Sequence, residues 1–168
     1  MQRKAQYNTE KELKKWLSKA RKVVVAGIGN PLRMDDFVGM KVVQNLSGQT
    51  SDKILLIECE TVPESSLQTI VAFDPTHVLL IDAAILGVAP GETRLVRPEE
   101  LISTPAISTH MLPLRIFCDY LANTTRAKVA LLLIEPEKTE FGEGLTRTLQ
   151  NSANKISTVL LQIFSHME

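Results

Sequence analysis

Two adjacent carboxylates, Asp35 and Asp36, follow a Gly27-Ile28-Gly29-Asn30 turn within the stretch VVVAGIGNPLRMDDFVGMKVV, which runs from Val23 to Val43. A third acid, Asp82, closes the apolar run HVLLID, and an imidazole, His110, sits in ISTHMLPL. A loop that cradles phosphate would not carry paired acids, because two negative charges repel such a ligand. A positive partner suits them better. An acid at the end of a strand as apolar as HVLLID is costly unless it is paired or bound to a cation. Singly, each group has an ordinary reading. Asp82 suits a helix cap or a salt bridge, His110 a first helical turn behind a Ser108 or Thr109 cap, and Asp35 and Asp36 a first turn favoured by the helix dipole. Together, two carboxylates and an imidazole at one sheet edge suit a divalent metal with open positions.

Whether they share an edge depends on the elements that carry them. KVVVAG, KILLIE (53–58), HVLLIDA (77–83) and KVALLLIE (128–135) are apolar runs, three of them continuous enough for strands buried on both faces. ETRLVR (92–97) alternates weakly and predicts a short edge strand. Helix-length segments separate the runs: 36–46 with Val38, Val42, Val43 and Leu46 on one side, 63–73 with Pro63 near its start, 110–122, and 145–164. At the N-terminus, Thr9 and Glu12 form a T-x-x-E capping box for a helix over 9–20, with Leu13, Trp16, Leu17 and Ala20 at helical spacing. This alternation predicts an α/β fold, a single domain over 1–168 with a mostly parallel twisted sheet of about five strands and helices on both faces. The basic N-terminal helix (1–22) would pack on it. In open sheets of this kind, sites gather at the carboxyl ends of the strands, where the Gly-x-Gly turn, the acid pair and Asp82 all fall.

Composition narrows the function classes. The 168 residues carry 19 basic and 19 acidic side chains, so no global field argues for nucleic acid or a membrane surface. The charge is uneven: residues 1–22 hold eight Lys or Arg and two Glu. That lysine-rich face reads as a solvated helix face, with docking to an acidic partner as the lesser alternative. No apolar run approaches the ~20 residues of a membrane span, and the basic start lacks a secretory apolar region, so a cytoplasmic protein is expected. Cys59 and Cys118 have no C-x-x-C spacing and read as reduced thiols, with Cys118 in the core rather than a nucleophile. The G-x-G-x-x-G pattern fails at Leu32, and no P-loop, H-E-x-x-H or G-x-S-x-G occurs. With only His77, His110 and His166 available, a dedicated structural zinc site is not expected.

GIGNPLRMDDFVG, LLIDAAILG, STHMLPL and IEPEKTEFGEGLT, in this order from about Val23 to Leu145, resemble the hydrogenase maturation endopeptidases. These proteases remove a C-terminal extension from the large subunit of nickel–iron hydrogenases. The resemblance implies that Asp36, Asp82 and His110 are the metal ligands and catalytic residues, and that the precursor of the large subunit is the partner. It implies that nickel already installed in that precursor, rather than a resident metal, is what they face, with other divalent cations able to substitute in vitro. Gly27, Gly29, Asn30 and Asp35 would lie at the substrate, the glycine turn letting backbone approach it, while Asp35 would also hold the turn or the helix start. A monomer that binds no nucleic acid and does not insert into membranes is expected. Met34 and Phe37 stand where many members have glycine, and Glu135 where many have glutamine. Two alternatives remain open on the sequence: a non-catalytic nickel-sensing checkpoint that binds the precursor, and a nucleotide-binding module using the GIGN turn.

Overall fold

Apolar strands alternating with amphipathic helices build a three-layer architecture in a computed structural model of the chain, which describes residues 2–102 and 111–167. The strands are β1 (Val23–Ile28), β2 (Ile54–Glu60), β3 (His77–Ala83), β4 (Thr93–Val96) and β5 (Lys128–Ile134). They form one sheet in the order β2-β1-β3-β5-β4, in which only β4 runs antiparallel to its neighbour. The helices are α1 (Gln2–Trp16), α2 (Val38–Leu46), α3 (Leu67–Phe73), α4 (Met111–Thr125) and α5 (Arg147–Ser165).

Strand periodicity divides the core in two. Val23 and Val25 of β1, Leu79 and Ile81 of β3, and Ala130 and Leu132 of β5 face α1, α2 and α5. Val24 and Ala26, Val78 and Leu80, and Val129 and Leu131 face α3 and α4 on the other side. Each central strand is buried along nearly its whole length, which is why these runs read as continuous rather than alternating. The expected mostly parallel sheet with helices on both faces is what forms. From β1 the chain passes outward to β2 and then returns to β3 on the other side, so β1 and β3 flank the point where strand order reverses.

Three helix starts differ from expectation, because tertiary packing reset them. Residues Met34–Phe37 and Pro63–Ser66 form single 3-10 turns ahead of α2 and α3. Helix α1 begins at Gln2, so Thr9 lies inside it. Its hydroxyl donates to the Thr93 carbonyl on β4 (3.0 Å) instead of capping the helix. The helix thereby packs beside the edge strand, a position that shields an otherwise open ladder.

At the amino end of β3, His77 is buried against the Trp16 ring in an edge-to-face pair with centroids 5.0 Å apart. Burial lowers its basicity first. Lys128 and Arg97 lower it further, while the Trp16 backbone pulls the other way. The unfolded chain therefore takes up this proton before the folded one does. The contribution to stability is full above the ordinary histidine value near 6.5 and is lost as pH falls below it. Thermal unfolding between pH 8 and 5 is expected to show a decline below about pH 6.5. That decline should be weaker in His77→Gln; an equal slope in both proteins would remove His77 as its cause.

Candidate active site

The acid turn is placed by close backbone packing. At the end of β1, Gly29 has φ 151°, and a Cβ there would lie 1.8 Å from the Asp36 carbonyl oxygen. A Cβ on Gly27 would lie 2.4 Å from the Gly39 carbonyl, and one on Gly39 would lie 2.1 Å from that of Ile81. The glycines therefore let the 34–37 turn and the start of α2 sit directly on the ends of β1 and β3. This differs from the expected role of Gly27 and Gly29, an approach of backbone to substrate. Gly39 was not singled out in the sequence. Its signal was there: glycine inside a helix costs about 1 kcal/mol against alanine and asks for a packing reason.

With the turn seated, the Asn30 N–H donates to Asp36 Oδ2 at 2.8 Å, and Asn30 Oδ1 accepts from the Leu32 N–H at 2.9 Å. The half-buried Asp36 carboxylate occupies the backbone donor that a phosphate would need in a nucleotide loop. This argues against the nucleotide-binding alternative.

Asp82, near the end of β3, is almost wholly buried, and its Oδ2 has no hydrogen-bond partner among the described residues. Burial holds its carboxyl well above the usual carboxylate range, the neighbouring Asp36 charge adds to this, and the Ala83 N–H opposes it. A buried carboxylate with an unfilled lone pair and a second carboxylate beside it is a poor structural feature and a good cation ligand. His110, the third expected ligand, lies outside the described residues. Among the described residues no cluster of three metal-binding side chains occurs.

Asp35 faces elsewhere. Its carboxylate is fully buried and accepts the N–H groups of Glu137 (3.0 Å), Lys138 (2.9 Å) and Thr146 (2.7 Å), together with the Thr146 hydroxyl. That carboxylate has no surface left for a substrate, so the implied substrate contact gives way to a structural role. The role is larger than a local cap: Asp35 ties residues 137–146 to the acid turn. Three further bonds join the same segments, from Asp35 N to Lys138 O, from Met34 N to Gly142 O and from Gly142 N to Leu32 O. Met34 holds φ 44°, the left-handed conformation that glycine adopts most easily. Thr146 also caps α5, accepting from the Leu149 N–H. At the end of β5, the buried Glu135 accepts the Leu86 N–H and so steadies the chain that follows Asp82.

A family model described as hydrogenase maturation protease matches residues 40–163. The chain belongs to that family. It is 31% identical over 160 residues to a Methanocaldococcus jannaschii protein assigned to the hydrogenase maturation proteases, covering 90% of this chain and 94% of that one. It is 25% identical to the hydrogenase 3 maturation protease of Escherichia coli over 133 residues, covering 79% and 85%. The crystal structure of the [NiFe] hydrogenase maturation protease HycI from Thermococcus kodakarensis superposes with a TM-score of 0.85 at 29% identity, over 92% of this chain and 99% of that one. The family processes hydrogenase large subunits at their C-termini, and this maturation protease is accordingly a peptide-bond hydrolase.

Both thiols of this maturation protease are unsuited to nucleophilic attack. Burial pushes Cys118 up to about 12 and Cys59 up to about 11, so each is a neutral thiol at pH 7. Cys118→Ala is expected to cost ~1–3 kcal/mol of stability and Cys59→Ser less, with cleavage retained in both. Loss of cleavage by a folded Cys118→Ala protein, assayed by gel shift of the large subunit, would bring a thiol mechanism back. No helix among the described residues is long and apolar enough to cross a membrane.

Proposed function

We propose that this endopeptidase acts on the precursor only after nickel insertion, with Asp36, Asp82 and His110 facing the nickel that the precursor carries. The observation that supports this most is the buried Oδ2 of Asp82, without a partner among the described residues and beside the Asp36 charge, an arrangement that a cation relieves. Carboxylate oxygens and an imidazole form a donor set that nickel accepts. Bound in the substrate, nickel supplies a Lewis acid that polarises a carbonyl or acidifies a water.

The chain's own residues do the positioning. Asn30 holds one oxygen of Asp36 through its N–H, so the carboxylate keeps one orientation. The packed glycines keep the Asp36 turn against β1 and β3, so that Asp36 and Asp82 stay neighbours without a metal to draw them together. Hydrolysis then adds the water oxygen to the scissile carbonyl carbon and returns a proton to the departing amine. In this reading the enzyme works as a cytoplasmic monomer and needs no resident metal.

Incubation of the purified protein with nickel-loaded and nickel-free precursor tests this. A shortened large subunit is expected only from the loaded form, and Asp36→Asn should not produce it. Equal cleavage of the nickel-free precursor would overturn nickel recognition. Binding without any shortening would favour the checkpoint alternative.

A further inference from the structure

Large apolar side chains are strongly exposed at six positions among the described residues, and four of them stand on one edge of the sheet. Leu32 follows β1, Val62 follows β2, Ile85 follows β3 and Phe141 follows β5, all beyond the carboxyl ends that carry Asp36 and Asp82. Scattered exposed hydrophobics need no explanation, but a set gathered round a polar centre marks an interaction surface. Phe141 is the extreme case, at 85% exposure.

Its setting distinguishes it from a residue at a loose loop tip. The 137–146 strap is pinned at both ends by the Asp35 carboxylate. In its middle, Gly142 exchanges bonds with Met34 and Leu32, and the Arg33 guanidinium donates to the Thr139 carbonyl at 3.2 Å. The bridge between Arg33 and Gly142 is parallel, so Leu32 and Phe141, each one residue earlier, run side by side. Holding an aromatic ring out in water on so well anchored a strap makes sense if the ring is to be covered. Preorganisation then removes most of the ordering cost of binding. Glu140 and Glu143, both exposed, lie on either side of Phe141 in the sequence and favour a positively charged neighbour in whatever covers it.

We propose that Phe141, with Leu32 beside it, is the anchor on which an apolar side chain of the precursor seats, a basic residue of the precursor lying over Glu140 and Glu143. This rests on the peptidase reading above. The strap is bonded directly to the turn that carries Asp36, so a polypeptide seated on Phe141 lies at the same edge of the sheet as the acid centre. The same bonds explain why Asp35 is invested in the strap: one carboxylate sets the position of both the anchor and the neighbouring catalytic acid.

Steady-state processing of nickel-loaded precursor tests the anchor in wild type, Phe141→Ala, Phe141→Leu and the double variant Glu140→Gln/Glu143→Gln. Phe141→Ala should lower kcat/KM about 10- to 100-fold, chiefly through KM, with the melting temperature unchanged because the ring makes few internal contacts. Phe141→Leu should recover to within about threefold of wild type. The double variant should raise KM about two- to fivefold and reduce its sensitivity to salt. Wild-type kcat/KM in Phe141→Ala, or a fall carried by kcat alone, would overturn the anchor while leaving the peptidase intact. An unchanged KM in the double variant would overturn the basic partner. A wild-type protein that processes no precursor would overturn the peptidase reading and the anchor with it.

Discussion

Asparagine in place of Asp82 is expected to abolish processing and to make the metal-free protein more stable. The two effects have one cause. In the folded chain Asp82 is buried, lacks a partner for Oδ2 among the described residues and stands beside the Asp36 charge, so its ionised form is disfavoured. A carboxyl raised in this way contributes stability that is full below its unfolded value near 3.9 and is lost as pH rises through its folded value. At neutral pH wild type therefore bears a cost that an amide of the same shape does not, and the amide can donate toward Asp36. A gain of about 1–3 kcal/mol, the range for relieving an unsatisfied buried polar group, is expected in the chelated protein at pH 7. The gap should narrow toward pH 4. Cleavage should fall by about 100-fold or more, because an amide is a poor ligand for a divalent cation and the site loses a charge. Thermal unfolding at the two pH values and a cleavage assay on the same preparations check both halves. A destabilised Asp82→Asn protein that still cleaves at the wild-type rate would mean that Asp82 is an ordinary structural acid.

Asp35→Asn should be the more damaging change to the fold. Its carboxylate accepts three backbone N–H groups and a hydroxyl, and both oxygens are used. An amide keeps one acceptor and turns an NH2 group toward donors that then have nowhere to go. A loss of about 2–4 kcal/mol is expected, roughly 5–15 °C in melting temperature for a chain of this size. That exceeds the ~0.5–2 kcal/mol for a lost helix cap, which is the whole effect if the residue merely begins α2. Processing should fall as well, because releasing 137–146 also frees the Asp36 turn. A diagnostic comparison is Asp36→Asn, which should lose cleavage with little change in melting temperature, since among the described residues the Asp36 carboxylate holds a single backbone N–H. If Asp35→Asn melted like wild type while Asp36→Asn unfolded, the assignments within the acid pair would have to be exchanged.

The identity of each layer was present in the local pattern. Val23–Ile28, His77–Ala83 and Lys128–Ile134 read as buried strands because no polar side chain interrupts them, and a parallel sheet follows once helix-length segments lie between them. Because parallel sheets gather ligands at their carboxyl edge, Asp36 and Asp82 were legible as neighbours from residues 46 positions apart. What no local pattern could carry was a partner far along the chain. Thr9 scores as a cap by its neighbours and spends its hydroxyl on Thr93. Asp35 and Asp36 are chemically the same and adjacent, yet one meets donors from 137–146 and the other faces the strand ends. That difference exists only after the strap has folded back over a hundred residues. The residue types and their order determined the sheet, its helical layers and the acids at its edge. Tertiary packing alone decided which acid stands beside Asp82 and which is consumed as a staple, because burial and hydrogen-bond supply belong to the assembled environment and not to the residue.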